Sequence, residues 1–408
     1  MKEELLKKLN ELVGVGEKKS ALEEKIGLPL NSLSAVLNGS KEMPDKWVDK
    51  INTYLTSLIP RTEMEVAPNG RLKVNPSKEL KLALTENMEK INKDFGDGTV
   101  MFFGSKPNTD YEVIPTGSLL LDKALGIGGL PRGRMVEIYG KESSGKSTIA
   151  LNVIANAQKM GLKCLLVDAE NSFDPEYAET LGVQIDKLAY CQPTFGEQGF
   201  EVADRQIVAG EANVVVIDSV AAMIPKSELE GEMGDSKMGL HARLMSQVCR
   251  KMVGSVAKTN SLIIFINQIR NKIGAMYENP EVTTGGMALQ FYASIRLHVS
   301  RSLTNENSII NNGVKEGNKT TVKVIKNKCA PPFRNAVFNI IYGQGIDRLG
   351  EIIEMAVEYK IIEKAGSWFS YEGNKLGQGK DSVIDVLSGT PELLAEIENN
   401  LLEKLKNN

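Results

Sequence analysis

The stretch MVEIYGKESSGKSTIALNVIANAQ, residues 135–158, constrains this chain more than any other. An apolar run ends at Gly140, a polar turn with a second glycine follows, and Lys146 and Ser147 open a segment of helical period. The spacing matches G-x-x-x-x-G-K-[ST], and strand, turn and helix stand in the order that the motif's chemistry needs. Glycines let the backbone approach an anion, and the N–H groups of the turn and of the helix N-terminus converge on phosphate oxygens. Gly140, Lys141, Glu142, Ser143, Ser144, Gly145, Lys146, Ser147 and Thr148 are therefore candidate nucleotide contacts. Lys146 would reach the β- and γ-phosphates, and the Ser147 hydroxyl would ligate Mg²⁺.

Three further apolar runs end in polar residues: CLLVDAE, VVVIDS and LIIFINQ. With MVEIYG they predict an α/β core whose mainly parallel sheet is buried on both faces and carries its chemistry at the strand C-terminal ends. Asp218 follows VVVI, the setting of the acid that holds the Mg²⁺ shell, so Ser147 and Asp218 are the candidate metal ligands. Glu170, just beyond CLLVDA, is a candidate for activating water, with Asp168 its rival on the same side of the strand. Gln268 ends LIIFIN, where an amide can sense a γ-phosphate. Later runs (SIRLHVSR, TTVKVIKNK, VFNIIYG) predict an antiparallel extension.

The chain has 408 residues, 42% of them apolar, enough for one large domain with smaller attachments. No run of about 18 apolar residues is present, so no membrane association and a cytoplasmic location are expected. Cys164, Cys191, Cys249 and Cys329 lack metal-ligand spacing, and only His241 and His298 are present, which argues against a histidine metal site or a Ser-His-Asp triad. With 49 basic against 52 acidic residues, any nucleic-acid groove must be local. Residues 1–57 read as short helices, with Ser20 and Glu23 as a capping box and Pro44 in a first turn; they vaguely resemble a helix-turn-helix of the phage-repressor kind. Residues 58–76 read as a linker, 77–106 as a helix and strand leading into the main body (for which the resemblance given below implies an oligomerisation role), 107–346 as the phosphate-loop core, and 347–408 as a small α/β domain.

PTGSLLLDKALGIGGLPRGRMVEIYGKESSGKST, DAENSFDPEYAETLGV, VVVIDSVAAMIPKSELEGEMGDSKMGLHARLMSQ, FINQIRNKIGAMYENPEVTTGG, KVIKNKCAPPF and EKAGSWFSYEGNKLGQGK together resemble the bacterial RecA recombinase family, from about residue 77 to 406. The resemblance implies a RecA-type P-loop NTPase core. It makes Glu170 the catalytic carboxylate and Gln268 the γ-phosphate sensor, and it sets Asp174 and Tyr177 beside the adenine of ATP. It also implies that Lys326 and Lys328 reach the nucleotide of a neighbouring subunit in a helical homo-oligomeric filament.

Two segments look like the family's DNA-binding loops. The first carries Lys237 and Met238 and leads into a helix bearing Arg243, Arg250 and Lys251 on one face. The second, residues 269–286, reads as a long irregular connection; Arg270 and Lys272 would meet phosphates, while Ile273, Met276 and Tyr277 would stack on bases. Met287, Gln290 and His298 depart from the family's usual residues, and its acidic tail is lacking. The function implied is a DNA-dependent ATPase that forms filaments on single-stranded DNA and exchanges strands with double-stranded DNA. A RecA-fold hexameric helicase and a non-catalytic, ATP-assembled DNA-binding regulator are the alternatives.

Overall fold

A computed structural model describes residues 2–14, 18–29, 32–58, 63–66, 72–75, 87–94, 100, 111–232, 239–271, 281–301, 308–311 and 314–406. The chain divides into two compact units, Met1–Thr109 and Asp110–Asn408.

The first unit begins with four helices, Lys2–Gly14, Lys19–Ile26, Ser32–Leu37 and Asp45–Leu58. They enclose a core of their own that includes Leu9, Leu22, Leu33 and Ile51, all without solvent exposure. The Ser20–Glu23 capping box does not form: the helix starts at Lys19 with no side-chain cap, and buried Glu23 instead accepts a hydrogen bond from Leu33 N at 2.6 Å. The stretch expected as a linker contains a two-stranded antiparallel hairpin, Glu63–Val66 with Leu72–Asn75. Residues 87–94 are helical.

The second unit is built on a main sheet of eleven strands among the described residues. They are β1 (Arg134–Gly140), β2 (Cys164–Asp168), β3 (Leu188–Cys191), β4 (Val214–Asp218), β5 (Leu262–Asn271), β6 (Glu281–Thr283), β7 (Ile295–Arg301), β8 (Ser308–Asn311), β9 (Val314–Asn327), β10 (Asn335–Ile341) and β11 (Gly345–Ile346). The order is β11-β10-β9-β7-β1-β5-β4-β2-β3, with β6 beside β5 and β8 beside β9. From β7 to β3 all neighbours are parallel, while β9 and β10 extend the sheet antiparallel. The expected architecture is thus observed; in its parallel part the sequence reading missed one strand, LAYC in β3, which is only four residues long and half-exposed.

Strand alternation sorts the core. Val136, Ile138, Leu166, Val216, Ile264 and Ile266 face the helix α2 (Lys146–Lys159). Met135, Leu165, Val167, Val215, Ile217, Ile263 and Phe265 face the opposite way, against α4 (Gly196–Val208) and α5 (Leu240–Thr259). Between α2 and α4 in the chain comes α3 (Pro175–Thr180), and α1 (Leu119–Leu125) precedes β1. The period of two carries past the hydrophobic stretch, so Asp168, Asp218 and Gln268 at the strand ends all belong to the α2 face. That parity assembles the site.

Between β6 and β7 lies α6 (Ala288–Tyr292), which packs beside α5 and β1. After β11 the chain continues with α7 (Arg348–Glu358), α8 (Lys380–Gly389) and α9 (Pro391–Lys406). These last three pack against a small antiparallel sheet of β12 (Glu363–Ala365), β13 (Trp368–Tyr371) and β14 (Asn374–Gln378) around Ile353, Phe369 and Ile397. The carboxylate of Glu351 joins this part to the core: it accepts hydrogen bonds from Ser118 Oγ at 2.7 Å and Leu119 N at 2.8 Å.

Candidate nucleotide site

Gly140 closes β1 where no other residue fits, since a Cβ there would lie 2.0 Å from the carbonyl oxygen of Val299 on β7. Gly145 turns the chain into α2 at φ 99°, a left-handed backbone that glycine adopts without strain. Between them the loop leaves the α2 N-terminus open. Lys146 Nζ curls back to donate to the Lys141 carbonyl at 2.7 Å. Burial holds its ammonium below the usual lysine range, against the pull of Asp218, Glu170 and Glu142.

A cavity of 310 Å³ opens over this loop. Ser143 to Thr148 line one side, and Tyr177, Arg301, Asn318, Thr320 and Tyr342 line the other. Two buried polar atoms of its lining, Ser144 Oγ and Asn318 Oδ1, have no hydrogen-bond partner among the described residues. Unsatisfied buried groups are costly unless a ligand or water meets them, so the lining fits a polar, phosphate-bearing guest. Asn318 and Thr320 escaped the sequence reading. Their signal was there: two polar residues at period two that lead into the alternating Val322 and Val324, on the same strand face.

Ser147 Oγ donates to Asp218 Oδ2 at 2.8 Å, which brings together both candidate Mg²⁺ ligands. Burial pushes the Asp218 carboxyl up to about 6; the Ser147 hydrogen bond opposes that, and Glu170 and Asp168 add to it. Two hard oxygens beside a phosphate loop suit Mg²⁺, which commonly takes one or two protein oxygens and fills its shell with phosphate and water.

The two rival carboxylates have different surroundings. Asp168 is buried and fully engaged: Oδ1 accepts from Glu170 N at 3.1 Å, and Oδ2 accepts from Phe173 N at 3.1 Å and Tyr190 OH at 2.9 Å. It shapes the 169–173 turn. Glu170 instead projects outward, and its Oε1 accepts from Gln268 Nε2 at 2.8 Å and from Ser219 Oγ. Ser219, a residue the sequence reading missed, follows Asp218 and so enters the site with it. Asp174 caps α3 by accepting from Tyr177 N at 3.1 Å, and Tyr177 OH lies 3.0 Å from Thr148 Oγ1 at the cavity wall.

Behind Gln268 runs a buried polar chain. Gln268 N donates to Asn267 Oδ1 at 2.9 Å, Asn267 Nδ2 donates to Glu137 Oε1 at 3.0 Å, and Arg296 Nε donates to Glu137 Oε2 at 2.5 Å. Arg296 stands across the ladder from Lys326. Lys326 Nζ donates to the carbonyls of Gln290 and Phe291 at 2.6 and 2.9 Å, and burial, Lys328 and Arg296 together lower its pKa. Lys326 lies six residue steps along β9 from Thr320 at the cavity, about 20 Å along a strand. Lys326 and Lys328 are therefore remote from their own phosphate loop. Phe291, whose carbonyl Lys326 meets, is 65% exposed, and Phe333, five residues beyond Lys328, is 77% exposed.

The DNA-contact candidates divide. Lys237, Met238, Lys272, Ile273, Met276 and Tyr277 lie outside the described residues. Arg243 and Arg250 are exposed on α5. Lys251, expected with them, pairs with Glu201 at 2.7 Å and Asp204 at 2.9 Å on α4, because the eight-residue step carries it round to the helix–helix contact. The second loop is more ordered at its root than its composition predicts: β5 continues to Asn271 and pairs with β6 from Glu281, with exposed Arg270 opposite Val282. No helix among the described residues is long and apolar enough to cross a membrane.

Comparison with known proteins agrees with this geometry. The RecA N-terminal domain model matches residues 82–347 and the RecA C-terminal domain model matches residues 350–406. The chain is 56% identical to protein RecA of Methylococcus capsulatus over 323 residues, covering 79% of this chain and 92% of that one. It is 54% identical to protein RecA of Bifidobacterium longum over 321 residues, covering 79% and 80%. With protein RecA of Acinetobacter baylyi the identity is 53% over 333 residues, covering 81% and 93%. Two domain models in sequence, half-identity over four-fifths of the chain and a phosphate loop beside the hydrogen-bonded Glu170 and Gln268 leave one assignment: the chain belongs to the RecA family, the DNA-dependent ATPases of homologous recombination and repair.

Proposed function

We propose that the chain assembles on single-stranded DNA with ATP and Mg²⁺, pairs it with a homologous duplex, and uses Glu170 and Gln268 to link hydrolysis to DNA grip. The hydrogen bond between those two side chains carries this reading. The phosphate loop and Lys146 hold the triphosphate, and Ser147 and Asp218 hold the ion, which supplies charge neutralisation at the phosphates when bound. Glu170 accepts the proton of the attacking water. Gln268 gives up its bond to Glu170 in order to meet a γ-phosphate, and because β5 runs from Gln268 straight into the second loop, the exchange is felt at Arg270. Tyr177 and Asp174 form the adenine side. Lys326 and Lys328 act on a neighbour's nucleotide, because about 20 Å of strand keeps them from their own.

The test is phosphate release with and without single-stranded DNA, on the parent protein and on Lys146→Ala. DNA-stimulated release that Lys146→Ala abolishes supports the reading; equal release with and without DNA sinks it.

A further inference from the structure

Residues 2–58 have a core of their own and lie ahead of both matching domain models, so the recombinase function does not account for them. Their second and third helices form a tight, locked pair. Helix 19–26 stops at Gly27, whose φ of 72° is left-handed, and Leu28 N returns to the Glu23 carbonyl at 2.8 Å. The third helix begins at Ser32, whose N donates to the Pro29 carbonyl at 3.2 Å. Two side chains tie the helices together. Buried Glu23 receives Leu33 N at 2.6 Å from the third helix, and Lys50 Nζ from the fourth helix donates to the Gly27 carbonyl at 3.0 Å.

A short helix that ends on a left-handed glycine and a second short helix tied to the first make the order of elements in which the second helix enters a DNA major groove. The outward face of that helix supports the assignment. Leu33 and Val36 point into the core, so at 100° per residue Ser34, Ala35 and Asn38 share the opposite side. An ordinary surface helix carries charged residues there. This one carries two short hydrogen-bonding side chains and a methyl, the groups that meet base edges and a thymine methyl. Lys18 and Lys41 are exposed on either side in sequence, and the nearby acid Asp45 is already paired with Lys2 at 2.5 Å.

We propose that residues 2–58 are a sequence-reading module for double-stranded DNA that presents Ser34, Ala35 and Asn38 to the major groove. Nine lysines against nine carboxylates over residues 1–58 provide little non-specific attraction, so discrimination between duplexes rests on the groove face. The proposal does not rest on the ATP chemistry above, and the experiment keeps the two apart. The full-length protein without nucleotide is used to select from a random duplex library, and the enriched duplex is compared with a scrambled one of equal length. Enriched duplexes sharing one short sequence are expected. Ala35→Glu with Asn38→Glu is expected to lower affinity for the enriched duplex at least about tenfold, in line with the loss of one or two base-edge contacts. The same variant should keep the parent's helical content and its DNA-stimulated ATP hydrolysis. Failure to enrich any sequence, or a well-folded variant that binds the enriched duplex as tightly as the parent, overturns the proposal.

Discussion

Gln268 Nε2 and Glu170 Oε1 are 2.8 Å apart although 98 residues separate them in the chain. Parallel pairing of β1 with β5 sets Gln268 opposite Gly140 at the mouth of the phosphate loop, and the turn shaped by Asp168 brings Glu170 to meet it. The carboxylate proposed to activate water is therefore tied to the strand that leads into the second candidate DNA loop.

Glu170→Gln should lower the DNA-stimulated rate of ATP hydrolysis by about 10²–10⁴-fold, the usual contribution of a general base, while nucleotide affinity stays near the parent's. Single-turnover phosphate release and equilibrium binding of a labelled nucleotide measure the two separately.

Asp168→Asn should act as a structural lesion. One oxygen that accepts two hydrogen bonds becomes an amide donor facing N–H or O–H groups, a loss of roughly 1–3 kcal/mol. Thermal melting should fall while the rate of the folded fraction stays within a fewfold of the parent's. A rate collapse without loss of stability would transfer the catalytic role from Glu170 to Asp168.

Lys326→Ala combined with Lys328→Ala should remove DNA-stimulated hydrolysis and spare nucleotide binding by the free chain. Mixing this variant with Glu170→Gln should recover part of the stimulated rate, because some contacts then join an intact Glu170 to a neighbour's intact lysines. Mixtures no more active than their components would place the lysines' action within one subunit.

The Glu351 carboxyl is raised from 4.5 to about 7, chiefly by burial, against the hydrogen bonds of Ser118 and Leu119 and the charge of Arg348. The folded chain holds this proton more tightly than the unfolded chain, so the stabilisation is complete below about pH 4.5 and is lost as pH rises to about 7. Glu351→Gln cannot lose that proton. Its melting temperature should decline less between pH 5 and pH 7.5 than the parent's, and parallel declines would contradict the assignment.

Much of the site was legible in the chain because its parts are local. Gly140 to Thr148 form one strand–turn–helix, and Asp218 and Gln268 each end a run whose period of two continues into the polar residue. The sequence also bounded the fold, since four apolar runs of that length are stable only when a parallel sheet is covered on both faces. Spacing alone could not rank Asp168 against Glu170, because both lie at one strand end; the ranking came from the N–H groups of the 169–173 turn and from Tyr190, which consume Asp168. Nor could helical period place Lys251, whose partners Glu201 and Asp204 come from another helix. Glu23 read as a cap of its own helix and instead receives the N–H of Leu33 from the next one. The division has a physical cause: backbone period and turn chemistry are written between neighbours, whereas a side chain's hydrogen-bond partners are chosen only when distant elements pack and each buried polar group must find what is within reach.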